Sequence, residues 1–202
     1  MAKTFRAFIA VGLPEDVRRW LREARALLQG RIPSASVRWT NPDGIHITLK
    51  FLGEIPVESA SAIRSAMEAA AAQRCPFTLV VEGLGCFPNA GRPRVIWAGV
   101  RREEALDDLN ARLEEGLERI GFPKERRAFS PHLTLGRVRE GVSPKELGEI
   151  GRMVTGAPCS PPIAMEVTGY SLFKSVLRPT GAEYSVQYRA SFPPGSAGPA
   201  AG

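Results

Sequence analysis

Apolar positions along the chain recur with two periods, and the switch between them marks out the elements. Residues 5–11 are almost continuously apolar and rich in β-formers, which predicts a largely buried strand. Pro14 then stands where a first helical turn tolerates it. Val17, Trp20, Leu21, Ala24, Leu27 and Leu28 follow at helical spacing, with Gly30 as the stop. A short strand over 37–40 leads into the turn signal Asn41-Pro42-Asp43-Gly44, and 45–53 alternates as a strand should. An Ala-rich helix is expected over 57–73, with Ile63, Met67 and Ala70 on one face. Two strands, 77–82 and 94–100, flank a Gly/Pro/Asn-rich stretch at 83–93 that reads as a loop.

In the second half Leu106, Leu109, Leu113, Leu117 and Ile120 form the apolar stripe of a charged helix closed by Gly121. Residues 128–138 read as a strand. Ser143-Pro144-Lys145-Glu146 is a capping box with Pro at the first helical position. Strands at 163–168, 171–176 and 183–188 complete the pattern. Short turns between neighbouring strands favour antiparallel pairing, so the expected class is α+β. No linker-like change in composition interrupts residues 1–190, which read as a single domain. Residues 191–202 are expected to be a flexible tail, because Pro, Gly, Ser and Ala dominate there and give it little to bury.

Composition narrows the function little. Apolar residues make up 44% of the 202 and charged residues 24%, so wholesale disorder is excluded. No apolar run is long enough to span a membrane, and Arg6 interrupts any signal-like core, so a cytoplasmic protein is expected. Three cysteines, at 75, 86 and 159, lack CxxC spacing and read as small buried or half-buried thiols. The net charge of +6, carried mostly by Arg, suits a polyanionic partner without naming one.

The histidines are more informative. The chain has two, and each opens the same motif: His46-Ile47-Thr48-Leu49 and His132-Leu133-Thr134-Leu135. Thr occupies eight of 202 positions, so its place two residues after both histidines is not a product of composition. The similar flanks, a strand before and a helix after, point to an internal duplication and a pseudo-twofold fold. On a strand, His46 and Thr48 share one face, as do His132 and Thr134, while the intervening apolar residues anchor the other. Paired, the halves present two imidazoles and two hydroxyls, an acid–base set able to break a P–O bond. One imidazole would activate water and the other protonate the departing alkoxide; spacing does not say which is which. Two histidines fall short of the ligands zinc takes, and no carboxylate has ligand-like spacing, so no metal or other cofactor is expected.

The ordered motifs resemble the 2H phosphoesterase superfamily, and within it the RNA 2′,3′-cyclic phosphodiesterases also called 2′-5′ RNA ligases. The resemblance runs through Phe5-Arg6-Ala7-Phe8-Ile9-Ala10-Val11 with Leu13-Pro14, then Trp39, then His46-Ile47-Thr48-Leu49-Lys50-Phe51-Leu52-Gly53. It continues in Gly85-Cys86-Phe87-Pro88, Pro93-Arg94-Val95-Ile96-Trp97 and Pro131-His132-Leu133-Thr134-Leu135-Gly136-Arg137. Ser171-Leu172-Phe173-Lys174-Ser175 and Gly181-Ala182-Glu183-Tyr184 close it. It implies a bilobal α+β fold, two antiparallel sheets flanked by helices around a central cleft, each sheet carrying one His-x-Thr strand. It implies metal-independent hydrolysis of RNA 2′,3′-cyclic phosphate ends to 2′-phosphates, with His46 as general acid and His132 as general base. Thr48, Thr134 and Arg137 would hold the phosphate, and Phe51 would wall the terminal nucleoside. The expected partner is RNA with a cyclic phosphate end, taken by a monomer. The same site could instead act as a 2′-5′ ligase or on small cyclic phosphates, and a non-catalytic RNA-binding module is the reading from outside the enzymes. If strand alternation persists, Phe51 and Arg137, each five residues after its histidine, face away from the imidazoles unless a bulge intervenes. Arg94 and Lys174 are weaker candidates for contact with phosphate.

Overall fold

The computed structural model describes residues 3–72, 74–158, 160–178 and 181–194. Nine strands and four helices alternate along these residues. Strand β1 (Thr4–Val11) leads into helix α1 (Glu15–Gln29), whose buried face is Val17, Trp20, Leu21, Ala24 and Leu28. Glu15 and Asp16 sit in its first turn, where carboxylates complement the helix dipole. The Trp20 indole N–H donates to the carbonyl of Pro161 at 2.8 Å, tying this helix to the far end of the chain. Strand β2 (Val37–Trp39) and a single 3-10 turn at Pro42–Gly44 precede β3 (Ile47–Pro56). Helix α2 (Ser59–Ala71), β4 (Phe77–Phe87) and β5 (Val95–Val100) follow. Then come α3 (Glu104–Glu118), β6 (His132–Val138), α4 (Pro144–Thr155), β7 (Ile163–Val167), β8 (Gly169–Arg178) and β9 (Gly181–Ser191).

The strands form two sheets, ordered β3-β1-β8-β9 and β2-β6-β5-β4-β7, and every pairing is antiparallel. The α+β architecture with one His-x-Thr strand in each sheet is thus the observed one. The sheets do not divide the chain in half, however. The central strand β1 is flanked by β3 and by β8 from the C-terminal part, while β5 is flanked by β6 and by β4 from the N-terminal part. Each sheet therefore borrows strands from the other half, and the two cannot separate without breaking backbone ladders.

Three local expectations shift. The stretch 83–93 is not all loop: β4 continues to Phe87 past a bulge between Glu82 and Leu84. Gly85 lies directly under the indole of Trp97, where a Cβ would come within 2.3 Å of the ring. The glycines that read as loop signals mark a bulge and a close approach instead. Strand β6 starts at His132 rather than at 128, because Pro131 brings no N–H to a ladder. At the C-terminus β9 extends to Ser191, and Phe192 is buried, stacked 5.8 Å from Phe77. The folded chain thus runs past residue 190, and 195–202 lie outside the described residues.

The capping box at α4 is half formed. Ser143 Oγ accepts the N–H of Glu146 at 3.3 Å, but the Glu146 carboxylate turns to the hydroxyl of Ser36 beside β2. Cys86 is buried and Cys75 is exposed, against expectation for the latter; Cys159, like Gln73 of the expected helix end, lies outside the described residues. Among the described residues no helix is long and apolar enough to cross a membrane.

Candidate active site

His46 and His132 are placed by the same local device. The Nδ1 of His46 lies 2.8 Å from the carbonyl of Gly44, and that of His132 lies 2.9 Å from the carbonyl of Ser130. A carbonyl oxygen can only accept, so Nδ1 carries the proton in both rings and leaves Nε2 as the acceptor of the neutral imidazole. Each histidine stands at the mouth of its strand, with its Thr two residues on and half-buried. Among the described residues, neither the Thr48 nor the Thr134 hydroxyl has a hydrogen-bond partner. The two motif strands meet: β3 and β6 approach within 8 Å, Cα to Cα, although they belong to different sheets.

Phe51 and Arg137 are where alternation alone would not put them. In β3, Ile9 pairs with Lys50 and Ala10 with Thr48, so Leu49 is a bulge residue. In β6, Ile96 pairs with Gly136 and Trp97 with Thr134, so Leu135 is the corresponding bulge. Leu49 and Lys50 are consequently both buried, as are Leu135 and Gly136, and the strand resumes with its parity reversed. Phe51 and Arg137 then join the faces of Thr48 and Thr134. A bulge leaves a ladder carbonyl without its partner, and both are satisfied from outside the pair. The Asn110 side-chain amide donates to the Leu49 carbonyl at 2.8 Å, and the Thr40 N–H donates to the Leu135 carbonyl at 2.8 Å.

Aromatic rings border both imidazoles, three at His46 and one at His132. Phe8 stacks on His46 with centroids 4.4 Å apart, Phe173 stacks behind Phe8 at 5.1 Å, and Tyr184 meets His46 edge-on at 5.3 Å. Tyr184 also covers Gly44, whose Cβ, if present, would be 3.2 Å from that ring. A residue from β9 thereby clamps the turn that orients His46. Phe87 meets His132 edge-on at 5.0 Å and leans on Trp97 at 5.2 Å. Motif spacing gave no sign of these ring contacts, which come from strands far away in sequence. Of the weaker candidates, Arg94 is exposed. Lys174 pairs with Ala7 and reaches over the Phe5 ring, on the face of β1 opposite Phe8.

Arg38 is a residue that the motifs did not single out. It pairs directly with Arg137 across β2 and β6, and both are exposed. Neither forms an ion pair among the described residues. Like charges placed opposite one another disfavour the pairing, and an anion set between the two guanidinium groups would relieve that repulsion.

Burial pushes the pKa of His46 down to about 4. His132 is lowered in the same way, mainly by burial and secondarily by the Arg137 guanidinium. An unfolded His titrates near 6.5, so below that pH the unfolded chain takes up the proton first. Stability is therefore fully present above about pH 6.5 and declines as the pH falls toward 4. The His46→Gln variant is expected to lose the part of this decline due to His46, about 2 kcal/mol between pH 7.5 and 5. Urea midpoints of both proteins at the two pH values measure it. An equal loss in wild type and variant would contradict the assignment.

Among the described residues no group of three or more His, Cys, Asp or Glu side chains is placed to hold a metal ion. Among the described residues the arrangement offers a matched pair of Nε2 atoms, two Thr hydroxyls without partners and two arginines, on strands that meet.

Comparison with known proteins agrees with this duplicated construction. The family described as LigT like phosphoesterase matches two consecutive stretches, residues 11–97 and 99–184, each holding one His-x-Thr motif. The chain belongs to the LigT-like phosphoesterase family. A relative from Archaeoglobus fulgidus, named RNA 2′,3′-cyclic phosphodiesterase, is 34% identical over 179 residues, which is 89% of this chain and 96% of that one. The crystal structure of a Thermus thermophilus protein matches with a TM-score of 0.75 at 32% identity, covering 94% of this chain and 99% of that one. The E. coli LigT structure complexed with 3′-AMP matches with a TM-score of 0.73 at 26% identity and the same coverage. The LigT-like chain is accordingly an enzyme acting on phosphate esters.

Proposed function

We propose that this phosphoesterase hydrolyses RNA 2′,3′-cyclic phosphate ends to 2′-phosphates by metal-independent general acid–base catalysis between His46 and His132. The observation that carries the reading is the double construction: the same imidazole-to-carbonyl bond, the same Thr and the same bulge in both strands, which meet. A reaction that needs a base on one side of phosphorus and an acid on the other calls for two such groups.

In this mechanism His132 Nε2 takes a proton from water as the water oxygen bonds to phosphorus. The P–O3′ bond breaks on the opposite side, its electron pair going to O3′, and His46 Nε2–H protonates that oxygen. The product carries a 2′-phosphate and a free 3′-hydroxyl. Thr48 and Thr134 donate to the non-bridging oxygens, and Arg137, with Arg38 beside it, balances the charge that gathers there. Phe51 walls the terminal nucleoside. In the free protein both rings are neutral at pH 7, since burial lowers both pKa values. The phosphate anion is what returns a proton to His46, because an opposite charge favours imidazolium. An imidazolium in an apolar aromatic cage is a strong acid, suited to a poorly leaving alkoxide.

The test is to incubate RNA ending in a 2′,3′-cyclic phosphate with the protein in excess EDTA and identify the product. The expected product is the 2′-phosphate, formed at the rate seen without chelator. A 3′-phosphate product would reverse the assigned leaving group, and loss of the rate in EDTA would remove the metal-independent mechanism.

A further inference from the structure

Phe51 adjoins Phe8 and, through it, His46, with ring centroids 6.3 Å and then 4.4 Å apart. It also lines a separate cavity of about 480 Å³, bounded by Lys50, Phe51 and Leu52 of β3 and by the segment 122–127. That volume lies within the range of small-molecule sites. The segment belongs to the connection between α3 and β6, which ends at His132. The cavity is therefore linked to one imidazole through Phe51 and to the other through the chain itself.

A buried ion pair holds this segment. Lys50, 3% exposed, donates from Nζ to Glu114 Oε2 at 2.6 Å and to the Pro123 carbonyl at 2.6 Å. The same Glu114 oxygen accepts the Glu125 N–H at 3.2 Å. Two backbone groups of the segment are thus fixed to one charge pair, a registry use of buried charge. Beyond them the side chains of Arg126 and Arg127 stand exposed, and neither has an ion-pair partner among the described residues. Lys124 is paired with Glu118 at 3.4 Å, so Glu125 is the one exposed carboxylate on the wall. Phe51 itself is 59% exposed, which is unusual for a Phe on a strand and suits a stacking surface.

Two guanidinium forks beside an exposed aromatic ring match a nucleotide: a phosphodiester for the arginines and a base for the ring. We propose that this cavity is the subsite for the nucleotide immediately 5′ of the cyclic phosphate terminus, with Arg126 and Arg127 on its linking phosphodiester and Phe51 between its base and the terminal nucleoside. The proposal rests on the cyclic phosphodiesterase reading above and narrows its substrate class to oligonucleotide ends over free cyclic mononucleotides.

The experiment measures kcat/KM for cytidine 2′,3′-cyclic phosphate and for a dinucleotide ending in that same group. It uses wild type, the double variant Arg126→Ala/Arg127→Ala, and Phe51→Ala. Base stacking alone corresponds to about tenfold, so wild type is expected to favour the dinucleotide by at least about tenfold. The double variant should lose that preference through the dinucleotide, with the mononucleotide changed less than about twofold. Raising the salt should weaken the wild-type preference and leave the variant's ratio unchanged. Equal wild-type constants for the two substrates, or an equal drop on both in the double variant, would overturn the subsite while leaving the phosphodiesterase reading in place. Failure of wild type to consume either substrate would instead remove the reading on which the proposal rests.

Discussion

His132→Ala and His46→Ala are each expected to lower kcat by a factor of about 10² to 10⁴, the usual contribution of a positioned acid or base. The fold should survive, because both rings stand half-buried at the mouths of their strands and outside the fully buried core. On the proposed mechanism the two histidines act as a unit, so the double variant should be little worse than the poorer single one. The two roles separate with a substrate whose 3′-bridging oxygen is replaced by sulfur. A thiolate leaves without a proton, so His46→Ala should recover most of its rate on that substrate and His132→Ala should not. Recovery by His132→Ala alone would exchange the roles, and near-wild-type turnover of the natural ester by either variant would remove that histidine from the chemistry. Far-ultraviolet circular dichroism of both variants supplies the folding control.

The second large effect concerns stability. Glu114→Ala leaves the Lys50 ammonium buried with only the Pro123 carbonyl for a partner and is expected to cost about 3–5 kcal/mol in urea unfolding. That is a large fraction of what holds a domain together. Replacing both charges, as Lys50→Met with Glu114→Leu, should restore most of the loss, since apolar residues of similar size often substitute for a buried pair at little cost. The double variant would still lack the two hydrogen bonds that fix the segment 122–127. On the subsite proposal it regains stability without regaining the preference for a dinucleotide. A single-variant cost below about 1 kcal/mol would mean that the pair is more hydrated than its burial implies.

Lys50 also shows where reading by pattern stops. A lysine in an alternating strand reads as solvent-facing, and nothing nearby in sequence reveals that its partner is a glutamate 64 residues later. Once Lys50 turns inward, Leu49 and Lys50 are buried in succession and the parity of β3 reverses. This is why Phe51 reaches the histidine face although alternation points it away. Arg137 follows the same course after Leu135. The hydrogen bonds that stabilise the bulges come from Asn110 and Thr40, residues that no local rule connects to either strand. Arg38 was missed for a related reason: an exposed arginine in a three-residue strand carries no signal until β2 is seen to pair with β6.

By itself the sequence determined the elements and the chemistry within reach of one strand. Helical stripes, turn signals and the His-x-Thr repeats are local, because side-chain direction follows from backbone period over a few residues. The tertiary structure alone decided which strands share a sheet. Alternation tells a strand which face to bury and not which neighbour to take, so β6 could cross to β2 and β8 to β1 without a trace in the pattern. It also decided that a tyrosine from β9 would cover the glycine that orients His46, and that the two motif strands would meet. Those contacts join residues many tens of positions apart, and they form only when the whole chain has packed.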